Sequence, residues 1–213
     1  MRKAWCVFAA ATLVALGFGV GRASPQDTGG EGKQGEGGAT APGPSPEEMV
    51  AWVKYMTPGP EHERMAGMAG EWNAAVKMWM MPGAPVLEST GSAKFRMVCG
   101  GRYLVQEFSG TIGGNPFEGM SVVGFDNAKK EHFSTWIDSS GTGIILAKGK
   151  ADDKGVVTRA GKMTNPMMTA DYGTREVIAQ RDKDTMVFEW FMSGGNYKEE
   201  FRMLEITYTR KKS

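Results

Sequence analysis

Residues 117–138 read FEGMSVVGFDNAKKEHFSTWID and contain two strand-like runs on either side of a turn. The turn is expected at 126–130, because the short polar side chains of Asp126 and Asn127 hydrogen-bond nearby backbone and tolerate turn dihedral angles. Similar pairs of runs separated by turns follow along the rest of the chain. The stretch therefore predicts an antiparallel β-hairpin, and its repetition predicts an all-β protein.

The second arm of this hairpin has two chemically different faces. Side chains alternate along a strand, so one face carries Phe133, Thr135 and Ile137. The other face carries His132, Ser134, Trp136 and Asp138. A tryptophan among polar side chains suits a partly polar cavity lined by one face of a sheet. The alternative is a solvent-facing strand with an exposed tryptophan.

The amino-terminal part of the chain differs in composition from the rest. Arg2 and Lys3 precede an apolar run at 4–20, and small residues at 21 and 23 fit the site that a signal peptidase reads. We expect a signal peptide at 1–23, and hence a secreted or periplasmic protein; an uncleaved membrane anchor is the alternative. Residues 24–45, rich in Gly and Pro, form a linker with too few apolar side chains to fold. No later stretch is apolar enough to span a membrane.

The charge balance gives no indication of a polyanionic partner. The whole chain carries +1, and loss of Arg2, Lys3 and Arg22 with the signal peptide changes this to −2. Neither nucleic acid nor acidic lipid is therefore an expected partner. Cleavage also leaves Cys99 as a lone cysteine, which excludes an internal disulfide and predicts a small apolar filler at a strand end.

Two short helices are expected before the strands. Ser45 is a typical N-cap, Pro46 fits the first helical position, and the apolar residues of 49–56 recur at helical spacing. A second helix at 61–68 carries His62, Met65 and Met68 at the same spacing. We expect this second helix to pack across one end of the sheet.

From residue 70 onward the apolar pattern has period 2. Besides the hairpin and a first run that starts at 70, strands are predicted at 87–98, 102–110, 143–150, 155–163, 169–180, 185–192 and 197–210. Ten short strands without interleaved helices favour a meander, and closure into a barrel removes the two exposed edges. A barrel of this size has room for a ligand. We therefore predict that residues 46–213 form a single antiparallel up-and-down β-barrel of about ten strands, with one or two short helices capping an end.

The order of motifs resembles a known family. The segments HERMAGMAGEW, CGGRYLVQEFSG, NPFEGMSVVGFDN, FSTWIDSSGT and MLEITYTR together span about 61–210. They resemble the bacterial family catalogued as domain of unknown function 1579. The resemblance implies a calycin-like barrel, similar to those of the lipocalins, fatty-acid-binding proteins and nitrobindins, and carries no assigned reaction. It also implies that the pattern residues here are Trp72, Gly101, Arg102, Gly119, Asp126, Trp136, Asp138 and Arg210.

The sequence shows no motif for a catalytic nucleophile and predicts no catalytic residue, metal or cofactor. The two histidines, His62 and His132, have no second ligand at a fixed spacing. The 16 methionines are scattered, which fits an adaptable apolar cavity better than a copper(I) site. Haem, which needs a single axial ligand such as His132, is another lesser alternative.

The leading hypothesis is an exported protein of unassigned activity that binds a small apolar or amphipathic molecule inside the barrel. Either Arg175 or Arg210 is expected to neutralise Asp138 or an anionic head group, because a buried carboxylate needs a partner. An enzyme acting on a small hydrophobic substrate, and a structural or partner-binding module with a filled core, are the alternatives. Ligand identity and oligomeric state do not follow from the sequence. The candidate ligand-binding residues are His132, Trp136, Asp138, Arg175, Met186, Phe188, Trp190 and Met192.

Overall fold

The computed structural model describes residues 43–167, 170–195 and 197–212. The predicted signal peptide and most of the predicted linker lie outside these ranges. Two helices come first, α1 (Pro46–Met56) and α2 (Pro60–Gly67). The strands are β1 (Gly70–Met78), β2 (Leu87–Val98), β3 (Tyr103–Ile112), β4 (Asn115–Asp126), β5 (Glu131–Asp138), β6 (Ile145–Ala151), β7 (Val157–Met163), β8 (Tyr172–Asp182), β9 (Thr185–Gly194) and β10 (Tyr197–Arg210).

These strands form one closed barrel. Each strand pairs antiparallel with the next in sequence, and β1 pairs with β10 to complete the circle. The prediction of an antiparallel up-and-down barrel of about ten strands with short helices at its amino-terminal side is confirmed. Neither of the described helices has the length and hydropathy that crossing a membrane requires.

The helix α1 begins where the sequence predicts, but its apolar side chains are not buried. Ser45 Oγ accepts a hydrogen bond from the backbone N–H of Glu48 at 3.2 Å, and the Glu48 carboxylate accepts one from the N–H of Ser45 at 2.7 Å. This reciprocal cap fixes the first turn. None of the α1 side chains is buried, and Trp52 is 58% exposed. Helical periodicity therefore located the helix without showing what it packs against.

The carboxyl end of α1 is held by two turns of the barrel. Arg102 Nη2 donates to the carbonyl oxygen of Met56 at 2.7 Å, and Asn127 Nδ2 donates to that of Thr57 at 2.7 Å. In the β2–β3 turn, Gly101 has a φ of 83°, a left-handed conformation that favours glycine. Cys99 lies exposed in the same turn with a φ of 51°. The expectation that Cys99 fills apolar space is therefore wrong, because the turn carries its side chain outward.

Trp72 and Arg210 face each other where β1 and β10 close the barrel. Trp72 is fully buried, and its indole N–H donates to the carbonyl oxygen of Met68 at 2.9 Å. The Arg210 guanidinium lies 4.1 Å from the indole ring and donates to the carbonyl oxygens of Gly67 and Ala69, each at 2.7 Å. This Trp72–Arg210 stack therefore joins the closing strand pair to the end of α2. The same helix buries His62 and Met65 against the barrel, as its sequence spacing predicts.

Replacing Trp72 by alanine tests this core position. We expect Trp72→Ala to reduce the free energy of unfolding by about 3–5 kcal/mol, because it removes a buried aromatic side chain and leaves a cavity. Urea unfolding followed by circular dichroism measures the change. Trp52→Ala on the exposed face of α1 is the matched control and should stay within about 0.5 kcal/mol of the wild type. Equal effects of the two variants would contradict the assignment.

Candidate functional site

The barrel encloses an interior cavity of about 800 Å³. This volume lies within the range of pockets that hold small organic ligands. Its walls are mostly apolar and aromatic, and flexible thioethers contribute to them. The cavity runs from α2 and the β6–β7 turn to the opposite ends of β1 and β5. Lining residues of these types include Phe95, Phe117, Trp136, Phe188, Trp190, Ile206, Met65, Met68, Met78, Met163 and Met203.

The polar face of β5 points toward the interior cavity. His132, Ser134, Trp136 and Asp138 all contribute to its lining, as the alternation in the sequence predicts. On β9, Phe188 and Trp190 also line it. Met186 and Met192 share that face of β9 and are buried, but they do not belong to the cavity lining. The structure thus brings five of the eight candidate ligand-binding residues to one cavity.

Arg175 is not brought to the cavity. It lies on the outward face of β8, where its Nη2 donates to Glu200 Oε2 at 2.6 Å and its guanidinium stacks over Phe191 at 3.8 Å. The hydrogen bond from Arg175 lowers the pKa of Glu200. Arg210 is engaged at α2 and lies 3.4 Å from Asp184. The expectation that Arg175 or Arg210 neutralises Asp138 is therefore wrong.

Asp138 instead orients the neighbouring indole. Its Oδ2 accepts a hydrogen bond from Trp136 Nε1 at 2.7 Å, and its Oδ1 accepts one from the backbone N–H of Ser140 at 2.8 Å. Within the described ranges it has no lysine or arginine partner. The indole covers Gly119, where a Cβ atom would lie 2.3 Å from Trp136 Cζ2. Gly119 and Asp138 together therefore set the position of this ring.

A buried ion pair in the cavity wall was not predicted from the sequence. Arg159 on β7 and Glu176 on β8 are only 4% and 6% exposed. Arg159 Nε donates to Glu176 Oε2 at 2.8 Å, and the hydroxyl of Ser134 donates to the same oxygen at 2.8 Å. All three residues line the cavity, and we call them the polar cluster. The pairing and the extra donor offset the desolvation of the two charges.

Small side chains on two intervening strands allow the polar cluster to form. The strands β6 and β7 lie between β5 and β8. Ser134 pairs with Ala147 on β6, which in turn pairs with Gly161 on β7. Gly149, two residues after Ala147, is the next inward position on β6. At Gly149 and Gly161 the neighbouring backbone leaves no room for a Cβ atom, so no side chain from these positions stands between Ser134 and Glu176. Small inward residues beside an arginine and a glutamate in strands were the signal that could have revealed the cluster.

His132 lies next to the polar cluster, below α2. It is 4% exposed, and its ring packs against that of Phe125 with 4.8 Å between the centroids. Its Nε2 lies 3.4 Å from Glu61 Oε2 but has no hydrogen bond in the described part of the chain. Burial lowers the pKa of His132; the Glu61 carboxylate opposes this shift, and the charges of Arg159 and Arg64 add to it. The imidazole is therefore neutral at neutral pH.

A second polar pair crosses the cavity between β3 and β10. Gln106 Nε2 donates to the phenolic oxygen of Tyr208 at 3.0 Å, and both residues line the cavity. Burial raises the pKa of Tyr208, so the phenol stays neutral. The cavity thus combines apolar walls with an uncharged pair and a buried ion pair. Further charged side chains lie at its two ends, with Asp138 at one end and Glu61, Arg64 and Lys154 at the other.

Metal-ligating side chains are dispersed in the part of the chain that the structure describes. It contains no group of three or more His, Cys, Asp or Glu residues that could hold a metal ion. His62 Nδ1 accepts a hydrogen bond from the N–H of Gly59 at 3.1 Å, whereas His132 lies beside Glu61. The two histidines therefore make separate structural contacts.

Comparison with known proteins identifies the family. The model described as Protein of unknown function (DUF1579) matches residues 57–210. The chain belongs to this family. The resemblance predicted from the motifs is confirmed, although no curated protein matches the DUF1579 chain.

Two solved structures share the barrel of this DUF1579 protein. The S-type phycobiliprotein lyase CPES from Guillardia theta is similar with a TM-score of 0.52 and 10% identity, over 76% of this chain and 97% of that chain. Rv2717c from M. tuberculosis is similar with a TM-score of 0.51 and 14% identity, over 73% of this chain and all of that chain (100%). At such identities the similarity shows the fold alone.

Adding one methyl group at Gly119 tests the packing of the Trp136 indole against this glycine. Gly119→Ala must displace the Trp136 ring, so we expect a loss of about 1–3 kcal/mol in the free energy of unfolding and a changed near-ultraviolet dichroism. Gly141→Ala is the matched control, because nothing lies within 4 Å of its added Cβ. A Gly119→Ala protein with the control's stability and spectrum would contradict the packing.

The pH dependence of stability tests the buried imidazole. Because folding lowers the pKa of His132, the unfolded chain binds more protons below about pH 6.5, and stability present above that pH is lost as the pH falls. We expect His132→Gln to lose less stability than the wild type between about pH 7.5 and about pH 5.5. His62, whose pKa burial also lowers, contributes equally to both proteins. Parallel urea titrations at these pH values measure the difference, and identical slopes would contradict it.

Proposed function

We propose that this DUF1579 protein binds a small apolar or amphipathic molecule inside its barrel. The observation that carries the proposal is the interior cavity of about 800 Å³, with apolar walls and a few convergent polar groups. That combination is typical of small-molecule sites, in which apolar contacts supply affinity and polar groups fix orientation. The flexible thioethers of Met65, Met78 and Met163 suit a ligand of irregular shape.

The same volume argues against a filled core. Protein interiors are close-packed, and their voids are seldom much larger than a water molecule. An interior of this size in a purely structural module would forfeit dispersion contacts along its whole lining. A ligand restores those contacts.

The geometry of the polar groups favours binding over catalysis. A serine nucleophile needs a hydrogen bond to a base. The Ser134 hydroxyl donates to a Glu176 oxygen that already accepts from Arg159, so this carboxylate is a poor acceptor for the serine proton; the hydroxyl makes no hydrogen bond to His132, two residues away on the same strand face. The enzyme name of the Guillardia theta protein belongs to that protein, with which this chain shares a fold at 10% identity.

A cavity-filling variant tests the proposal. We expect the neutral dye N-phenyl-1-naphthylamine to bind the wild type with enhanced fluorescence and quenching of tryptophan emission. Ile178 lines the cavity, so Ile178→Trp should weaken binding at least about tenfold. Val177→Trp, on the outward face of the same strand, is the control and should bind as the wild type does. Circular dichroism checks that both variants fold, and a wild type that binds no dye would overturn the proposal.

We also propose that the chain is exported, on the strength of the charged start, apolar run and small residues within 1–23. Mass analysis of protein recovered from the producing cell should find a mature chain that starts near Ser24. Substituting Arg for Ala23 should impair cleavage and serves as the comparison. Recovery of a chain that retains Met1 would contradict cleavage and favour the uncleaved anchor.

A further inference from the structure

The polar cluster places a buried ion pair in the wall of the interior cavity. Arg159 carries a positive charge and Glu176 a negative one, and 2.8 Å separates their bonded atoms. Both are almost completely withdrawn from bulk water. Their charges cancel, so this part of the wall presents dipoles without a net charge.

The polar cluster contains N–H donors of Arg159 that are not used by Glu176. A guanidinium carries five N–H groups, and within the described ranges only the Nε–H of Arg159 is engaged, with Glu176. His132 lies nearby, but its Nε2 faces the Glu61 carboxylate at 3.4 Å, so the guanidinium is the stronger candidate. A ligand oxygen that accepts from Arg159 would therefore meet an unfilled donor.

A charged ligand would upset this balance. A carboxylate would be a second anion beside a guanidinium that Glu176 already neutralises, and one negative charge would stay uncompensated in a low-dielectric interior. An ammonium would have to compete with Arg159 for Glu176, at the same electrostatic penalty. An uncharged acceptor neither adds an uncompensated charge nor competes with Arg159 for Glu176.

We infer that the bound molecule is an amphipath with an uncharged, oxygen-containing head group, such as a hydroxyl, ester or amide, held at Arg159. The inference rests on the proposed ligand binding and narrows it. A free fatty acid and an alkylamine are both disfavoured. Asp138, at the opposite end of β5, is a competing anchor that would instead select a cation, and the exposed Arg64 and Lys154 at the α2 end of the lining would instead select an anion.

Three probes of equal chain length separate these head groups. Decanol, decanoate and decylammonium are titrated at neutral pH against bound N-phenyl-1-naphthylamine. We expect decanol to displace the dye at a concentration at least about tenfold below that of either charged probe. Equal potencies, or a preference for decanoate, would overturn the inference, and a preference for decylammonium would assign the head group to Asp138. Failure of the dye itself to bind would overturn the proposed function instead.

Neutralising Glu176 should reverse the order. Glu176→Gln keeps an acceptor for Ser134 and Arg159 but removes the negative charge, so Arg159 becomes an uncompensated cation. We expect the potency of decanoate relative to decanol to rise at least about tenfold. Glu200→Gln makes the same change in the outward pair with Arg175 and should leave the wild-type order intact. If a folded Glu176→Gln protein keeps the wild-type order of probe potencies, the inference is overturned. If that variant fails to fold, the potencies measured on the wild type test the inference by themselves.

Discussion

The closure of the barrel at Trp72 and Arg210 is the contact on which the interior depends. Carbonyl groups at a helix end have no partners within the helix, and here the Arg210 guanidinium supplies donors to Gly67 and Ala69. The same guanidinium covers the indole that fills the space beneath α2. This pair of side chains thus caps the end of α2, fills part of the core and lies where β1 pairs with β10. Without that junction both strands would be exposed edges, and water would reach the interior.

Closure in turn determines the energetics of the polar cluster. A charge pair gains from a low-dielectric surrounding only when its geometry is good and its remaining polar atoms are satisfied. The small residues Ala147, Gly149 and Gly161 give Arg159 and Glu176 the room to reach that geometry. Because these three residues are small, they fill little of the interior. The contact between Ser134 and Glu176 therefore depends on the small residues of β6 and β7 as well as on closure.

Local rules predicted most of this fold. Period-2 alternation and turn residues located ten strands, and the Ser45 cap located α1, because each feature depends on neighbours in sequence. On β5 the alternation separated two faces, and the tryptophan among polar side chains on one of them identified the cavity face. On β8 it failed: Arg175 and Glu176 are adjacent and equally polar, so nothing local says which one turns inward. The Ser134–Glu176 contact spans 42 residues and depends on the register of four strands, which local patterns do not specify.

Stability alone gives no reason for an ion pair at this position. Apolar side chains of similar volume commonly stabilise a core as well as a buried ion pair does, or better. In a filled barrel, Arg159 and Glu176 would therefore be a poor choice beside Ala147 and Gly161. Next to an interior cavity the same pair presents oriented hydrogen-bond donors without adding net charge to the wall. The ligand binding proposed above would account for a pair whose position the fold alone does not explain.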